Sequence, residues 1–193
     1  TLKIWNLTTG DTITLRGGHS EDVRAVVFSL DGAQLATASD DGTAKIWDLK
    51  TRTVRMTLKK HRGPVRSIAL SSDGAKVATG SDDGTAIVWD LKTGKPLMSL
   101  EGHGAFVSSV AFSPDAKWLA TGSEDKTALI WELETGQKIM KLAGHHAPIG
   151  SLAFSPDGKS LVTGSEDNTA KIWDLDDHSE ATVSIGHHKG VTS

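Results

Sequence analysis

The sequence contains no cysteine, which excludes disulfide staples and thiolate chemistry but does not fix a compartment. Positive charge is not in excess either: 21 Lys and Arg stand against 24 Asp and Glu, a formal net charge of -3. No bulk basic field therefore draws in nucleic acid or anionic lipid. No apolar run approaches the ~20 residues of a membrane-spanning helix, and no signal peptide opens the chain. A 3.6-residue amphipathic stripe is missing throughout, and so is a phosphate-binding glycine loop. The expectation is a cytoplasmic protein with no cofactor, no bound metal, no nucleic-acid partner and no membrane partner.

What is present is a repeat. The segment LATGSEDKTALIWEL at 119–133 recurs as LATASDDGTAKIWDL at 35–49, VATGSDDGTAIVWDL at 77–91 and LVTGSEDNTAKIWDL at 161–175, each copy displaced by 42 residues. Trp5, Trp47, Trp89, Trp131 and Trp173 mark the same beat, so five of the six tryptophans belong to it. A fixed period near this length signals an array of supersecondary units stacked on one another. The complete repeats run 18–59, 60–101, 102–143 and 144–185, with partial repeats at 1–17 and 186–193.

Within the first complete repeat, VRAVVF at 23–28, QLATA at 34–38, AKIWDL at 44–49 and VRMTL at 54–58 are short strand-like runs separated by turn residues. Four strands at intervals of about ten residues predict a meandering antiparallel sheet, and the fold class is all-β. Trp47 and Ile46 point to opposite faces, so each sheet is apolar on both sides and must be covered on both. The edits are local. Lys60 replaces a glycine, Glu132 an aspartate, Ala116 a turn glycine, and Asp176-Asp177-His178 displaces the Thr-Gly turn seen at Thr93-Gly94. Ten positions are identical in all four copies, among them His103, Thr121, Asp125, Thr127 and Trp131.

Gly18-His19 with Trp47-Asp48, His61 with Trp89-Asp90, Gly102-His103 with Trp131-Glu132, and Gly144-His145 with Trp173-Asp174 resemble the WD40 repeat family over essentially the whole chain. The resemblance implies a β-propeller of four-stranded blades that serves as a platform for protein partners. It also implies a hydrogen-bonded tetrad in each blade: Asp41, His19, Thr37, Trp47; Asp83, His61, Thr79, Trp89; Asp125, His103, Thr121, Trp131; and Asp167, His145, Thr163, Trp173. Ser39 and its equivalents face the same way as the threonines, which leaves the choice of hydroxyl open. Buried indole, imidazole and carboxylate groups each need partners, and a closed chain of bonds satisfies all three.

Aspartate, histidine and a hydroxyl also make up a hydrolase triad. That chemistry needs one exposed nucleophile, an oxyanion hole and a cleft, which are not repeated four times along a chain. The pairs His145-His146 and His187-His188 lack a third ligand at a metal-binding spacing. Both patterns read as scaffold and loop.

Specificity then falls to positions that differ between copies. At the start of each first strand stand Asp22-Val23-Arg24, Pro64-Val65-Arg66, Phe106-Val107-Ser108 and Pro148-Ile149-Gly150, and before the tetrad aspartates stand Asp40, Asp82, Glu124 and Glu166. The resemblance places both sets on one face of the disc. A ring of four carboxylates there would favour a basic peptide anchored by Phe106, whereas Arg24 and Arg66 paired with those carboxylates would leave nothing to dock. Trp118 stands where the other copies have Gln34, Lys76 and Ser160, and half-exposed edge packing is the expectation.

The resulting expectation is a non-catalytic interaction module that binds a protein or peptide, with a basic peptide as the favoured partner. The alternative is a regulatory or substrate-recruiting part of a larger kinase or NTPase whose catalytic domain lies outside this sequence. Residues 1–7 align with 43–49, as from the middle of a repeat in a longer polypeptide. Five units would need 210 residues, 17 more than are present. An open arc of four blades, with edges able to self-associate, is therefore expected.

Overall fold

The computed structural model describes residues 2–176 and the backbone of 180–183. All regular structure in it is β. Strands β1 (Leu2–Trp5) and β2 (Thr12–Leu15) form a hairpin, and four four-stranded antiparallel meanders follow. The first sheet comprises β3 (Val23–Phe28), β4 (Gln34–Ser39), β5 (Ala44–Asp48) and β6 (Thr53–Leu58). The second comprises β7 (Val65–Leu70), β8 (Lys76–Ser81), β9 (Thr85–Asp90) and β10 (Pro96–Glu101). The third comprises β11 (Val107–Phe112), β12 (Trp118–Ser123), β13 (Thr127–Glu132) and β14 (Lys138–Ala143). The fourth comprises β15 (Ile149–Phe154), β16 (Ser160–Ser165), β17 (Ala170–Asp174) and β18 (Glu180–Val183). The Asp177-His178 turn, the His187-His188 pair and the partial repeat 186–193 lie outside the described residues.

The sheets stack face to face as propeller blades. Ala36, Ala38, Ala44 and Ile46 of the first pack against Val65, Ile68, Val77 and Trp89 of the second. The same pairing of a small-residue face with a bulky one recurs between the second and third sheets and between the third and fourth. Trp47 turns the other way, onto Leu15 of the hairpin. Each Leu, Ile or Val fully removed from water in these seams contributes about 1.5–3 kcal/mol. Close approach is part of the design: a Cβ on Gly80 would lie 2.7 Å from Val107 Cγ1. Polar stitches cross the seams as well, with Val110 N donating to Ser67 Oγ at 3.1 Å and Ser72 Oγ to Pro114 O at 2.7 Å.

The arc is open at both ends. Val162 and Ile172 are 40% and 39% exposed, whereas their equivalents in the third sheet, Ala120 and Ile130, are at 0%. On the opposite end Val26 is 55% exposed, against 7% for Ile68.

One feature of the inner strands departs from simple alternation. In β7, Val65 pairs with Ser81 and Ser67 with Gly80, so Arg66 is an extra residue in a bulge. Val65 and Ile68, three apart, consequently bury on the same face. Arg24, Ser108 and Gly150 hold the bulge position in the other three sheets. A bulge of this kind re-aims one side chain out of the pleat.

The turns after the inner strands are built alike. Ser113 Oγ donates to Asp115 at 2.7 Å and accepts Trp118 N at 2.9 Å, while Asp115 accepts Lys117 N. Gly32, Gly74 and Gly158 take positive φ in these turns, and Ala116 takes the same conformation at φ 55°. Trp118 is half-buried and packs against the seam between the third and fourth sheets.

Candidate functional site

Four polar networks of one geometry run through the sheets. In the first, Trp47 Nε1 donates to Thr37 Oγ1 at 3.0 Å, His19 Nε2 lies 2.8 Å from the same hydroxyl, and His19 Nδ1 lies 2.9 Å from Asp41 Oδ2. Trp89, Thr79, His61 and Asp83 repeat it, as do Trp131, Thr121, His103 and Asp125, and Trp173, Thr163, His145 and Asp167, every link falling between 2.7 and 2.9 Å. The threonine hydroxyl accepts from the indole and is left to donate to imidazole Nε2. Of the two neutral tautomers, the one carrying its proton on Nδ1 completes the chain to the carboxylate. Burial pushes the pKa values of His19, His61 and His103 below the usual histidine value and prevails over the aspartate beside each. Burial also disfavours ionised Asp125, but hydrogen bonds from Thr127, Gly104 N and His103 outweigh it and hold the carboxyl at about 2, and Asp41 and Asp83 behave likewise. Ser81 and Ser123 are not alternatives to the threonines. Each receives the backbone N–H two residues on and donates to a carbonyl of the neighbouring loop.

The candidate docking residues lie where two loops of each blade meet. Glu124 N donates to Phe106 O at 3.0 Å and Glu166 N to Pro148 O at 2.9 Å, with the same bond at Asp40 and Asp82. Their charges divide unequally. Arg24 grips Asp40 through Nε at 2.8 Å and through Nη2. Arg66 grips Asp82 with Nε at 2.7 Å and Nη2 at 2.5 Å, and its Nη1 lies 3.4 Å from Asp40 Oδ1 in the preceding blade. The hydrogen bond from Arg24 holds Asp40 below the usual carboxylate range. The expected ring of four open carboxylates is thus corrected to two, because in-chain guanidinium groups already pair with Asp40 and Asp82, although Asp40 Oδ1 is buried and has only the longer Arg66 contact. Glu124 and Glu166 are exposed and, among the described residues, accept no hydrogen bond and form no ion pair. Ser108 turns inward to the carbonyls of Gly122 and Ile149, so its hydroxyl belongs to the scaffold. Phe106 is 42% exposed.

Comparison with family models agrees with this architecture. The model described as Echinoderm microtubule-associated protein second beta-propeller matches residues 31–191. The WD domain, G-beta repeat, matches residues 10–48. The chain belongs to the WD40 β-propeller family. A comparison with curated proteins gives no match. WD40 propellers are generally scaffolds that bind proteins or peptides, and they are typically non-catalytic.

In this WD40 propeller the triad-like groups are poorly placed for nucleophilic chemistry. Thr37, Thr79, Thr121 and Thr163 are fully buried, and both nitrogens of each tetrad imidazole are engaged. A cavity of about 520 Å³ lies between the hairpin and the first sheet, but the one imidazole lining it is His19, whose bonds are already made. Among the described residues no three His, Cys, Asp or Glu side chains gather to hold a metal. His146 is exposed and contributes its backbone N–H to Asp167. Among the described residues no helix is long and apolar enough to cross a membrane.

Two contributors escaped the residue-level reading. Thr43, Thr85, Thr127 and Thr169 donate to the second oxygen of the tetrad aspartates at 2.6–2.7 Å. The signal was a threonine two residues after each aspartate, the spacing of a side-chain-closed turn. The bulge, which aims Arg24 and Arg66, has no comparable signature.

Proposed function

We propose that this WD40 propeller is a non-catalytic docking platform whose loop face over the third and fourth blades receives a basic segment of a protein partner. One observation carries the reading: of four equivalent carboxylates, Glu124 and Glu166 alone form no ion pair among the described residues, Arg66 acting on Glu124 only by longer-range attraction, and Glu124 N donates to the carbonyl of exposed Phe106. Exposed carboxylates next to an aromatic ring offer steering and an anchor together. Glu124→Lys with Glu166→Lys leaves the tetrads and seams untouched. In an array of basic, neutral and acidic peptides at low salt, the wild-type chain should retain the basic ones and this double variant should not. Equal retention by the two proteins would remove the proposal. The name of the matched family model makes microtubules a second candidate partner, which cosedimentation with polymerised tubulin tests directly.

A further inference from the structure

The second blade contains a worked example of what the fourth blade lacks. Arg66, at the bulge of its inner strand, places Nε and Nη2 on Asp82 of its own blade and brings Nη1 within 3.4 Å of Asp40 in the blade before. One guanidinium thus hydrogen-bonds one carboxylate through two nitrogens of its planar fork and reaches a second across the seam through a longer ion pair. In the fourth blade the bulge residue is Gly150, so no side chain projects between the equivalent carboxylates, Glu166 of that blade and Glu124 of the preceding one. We infer that an arginine side chain of the docked partner enters over Gly150 and bridges Glu166 and Glu124 as Arg66 bridges Asp82 and Asp40.

This inference rests on the docking reading above and gives it a chemical identity. Three features favour an arginine supplied from outside. Both carboxylates in this pair are glutamates, one methylene longer than the aspartates that hold Arg24 and Arg66, and they extend toward solvent to meet an incoming group. Ser108, the neighbouring bulge residue, is committed to the carbonyls of Gly122 and Ile149 and does not compete. Phe106, whose carbonyl accepts Glu124 N, offers a ring at the same rim, and guanidinium planes stack on such rings. Lysine is a poorer fit, since a point charge on a flexible stem cannot use both carboxylates in the forked way. Lys126 stands two residues from Glu124 but forms no ion pair with it among the described residues.

The test uses a fluorescein-labelled Gly-Arg-Gly-Arg-Gly peptide and its lysine counterpart, followed by fluorescence anisotropy at low salt. The arginine peptide should bind the wild-type chain at least about tenfold more tightly than the lysine peptide, a difference of about 1.4 kcal/mol. Gly150→Arg supplies the guanidinium in cis while keeping both glutamates, and it should cut arginine-peptide affinity by at least about the same factor; Gly150→Ala should not. The reciprocal variant, Arg66→Gly, should add a second arginine-peptide site between Asp82 and Asp40. Equal affinity for the two peptides overturns the forked arginine alone and leaves the docking reading standing. If neither peptide binds the wild-type chain, both readings are defeated. Should Gly150→Arg not fold, the comparison of arginine with lysine on the wild-type chain still decides.

Discussion

Replacing Thr121 by valine tests whether the tetrads hold the blades. The two side chains are nearly the same shape, so packing in this fully buried position is kept and only the hydroxyl is lost. Two groups then lose their partners: Trp131 Nε1, which donates to Thr121 at 2.9 Å, and His103 Nε2, which lies 2.8 Å from it. Leaving a buried polar group unsatisfied costs about 1–3 kcal/mol, and two such groups give about 2–6 kcal/mol for one oxygen atom. Thr121→Ser keeps the hydroxyl and removes a methyl, which costs about 1 kcal/mol. Urea unfolding followed by tryptophan fluorescence reads both values, and amide hydrogen exchange locates the loss in the third blade. If Thr121→Val costs less than about 0.5 kcal/mol, or no more than Thr121→Ser, the hydroxyl is not the keystone of the network and the reasoning fails.

Other predictions follow from the same geometry. Acid should destabilise the fold in two windows. The folded-state pKa values of His19, His61 and His103 are lowered, so the unfolded chain takes up protons first and stability falls as pH drops below about 6.5. A second loss comes as pH falls from the unfolded aspartate value of 3.8 to about 2, where Asp41, Asp83 and Asp125 protonate in the folded state. Thermal melts from pH 8 to 3 should show a falling midpoint, and a midpoint that rises between pH 7 and 5 would contradict the neutral imidazoles. Ala116→Gly should stabilise by about 1 kcal/mol in urea titration, because Ala116 holds φ 55°, a conformation that glycine adopts without a Cβ penalty. Gly74→Ala, with φ 68° in the same turn of the second blade, should cost a similar amount.

The repeat made the blades legible before any coordinates. A 42-residue period, alternating apolar runs and turn residues place most strands within a residue or so of where they lie. Trp47 and Ile46 do face opposite neighbours, because alternation is local backbone geometry and needs no knowledge of tertiary distance. The family motif, rather than spacing alone, named the sixteen tetrad residues. The charge state of the loop face was less legible. Whether Asp40 and Asp82 stand open depends on Arg24 and Arg66, and the bulge decides where those side chains point. A bulge inserts one residue without altering composition or period. Arg66 reaches Asp40 only because two blades approach across a seam, a distance that no linear spacing encodes. Ala116 is a similar case: its backbone strain is visible in sequence only as an alanine where the other copies have glycine.

Measuring melting temperature and arginine-peptide affinity side by side on Asp125→Ala and Glu124→Lys tests the central division of labour most directly. Asp125→Ala should lower the melting temperature by several degrees and, while folded, keep its affinity for the peptide. Glu124→Lys should melt like the wild-type chain and lose that affinity. The opposite pairing, a tetrad variant that binds nothing yet melts normally beside a loop variant that unfolds early, would contradict a scaffold of buried networks carrying its specificity at the rim.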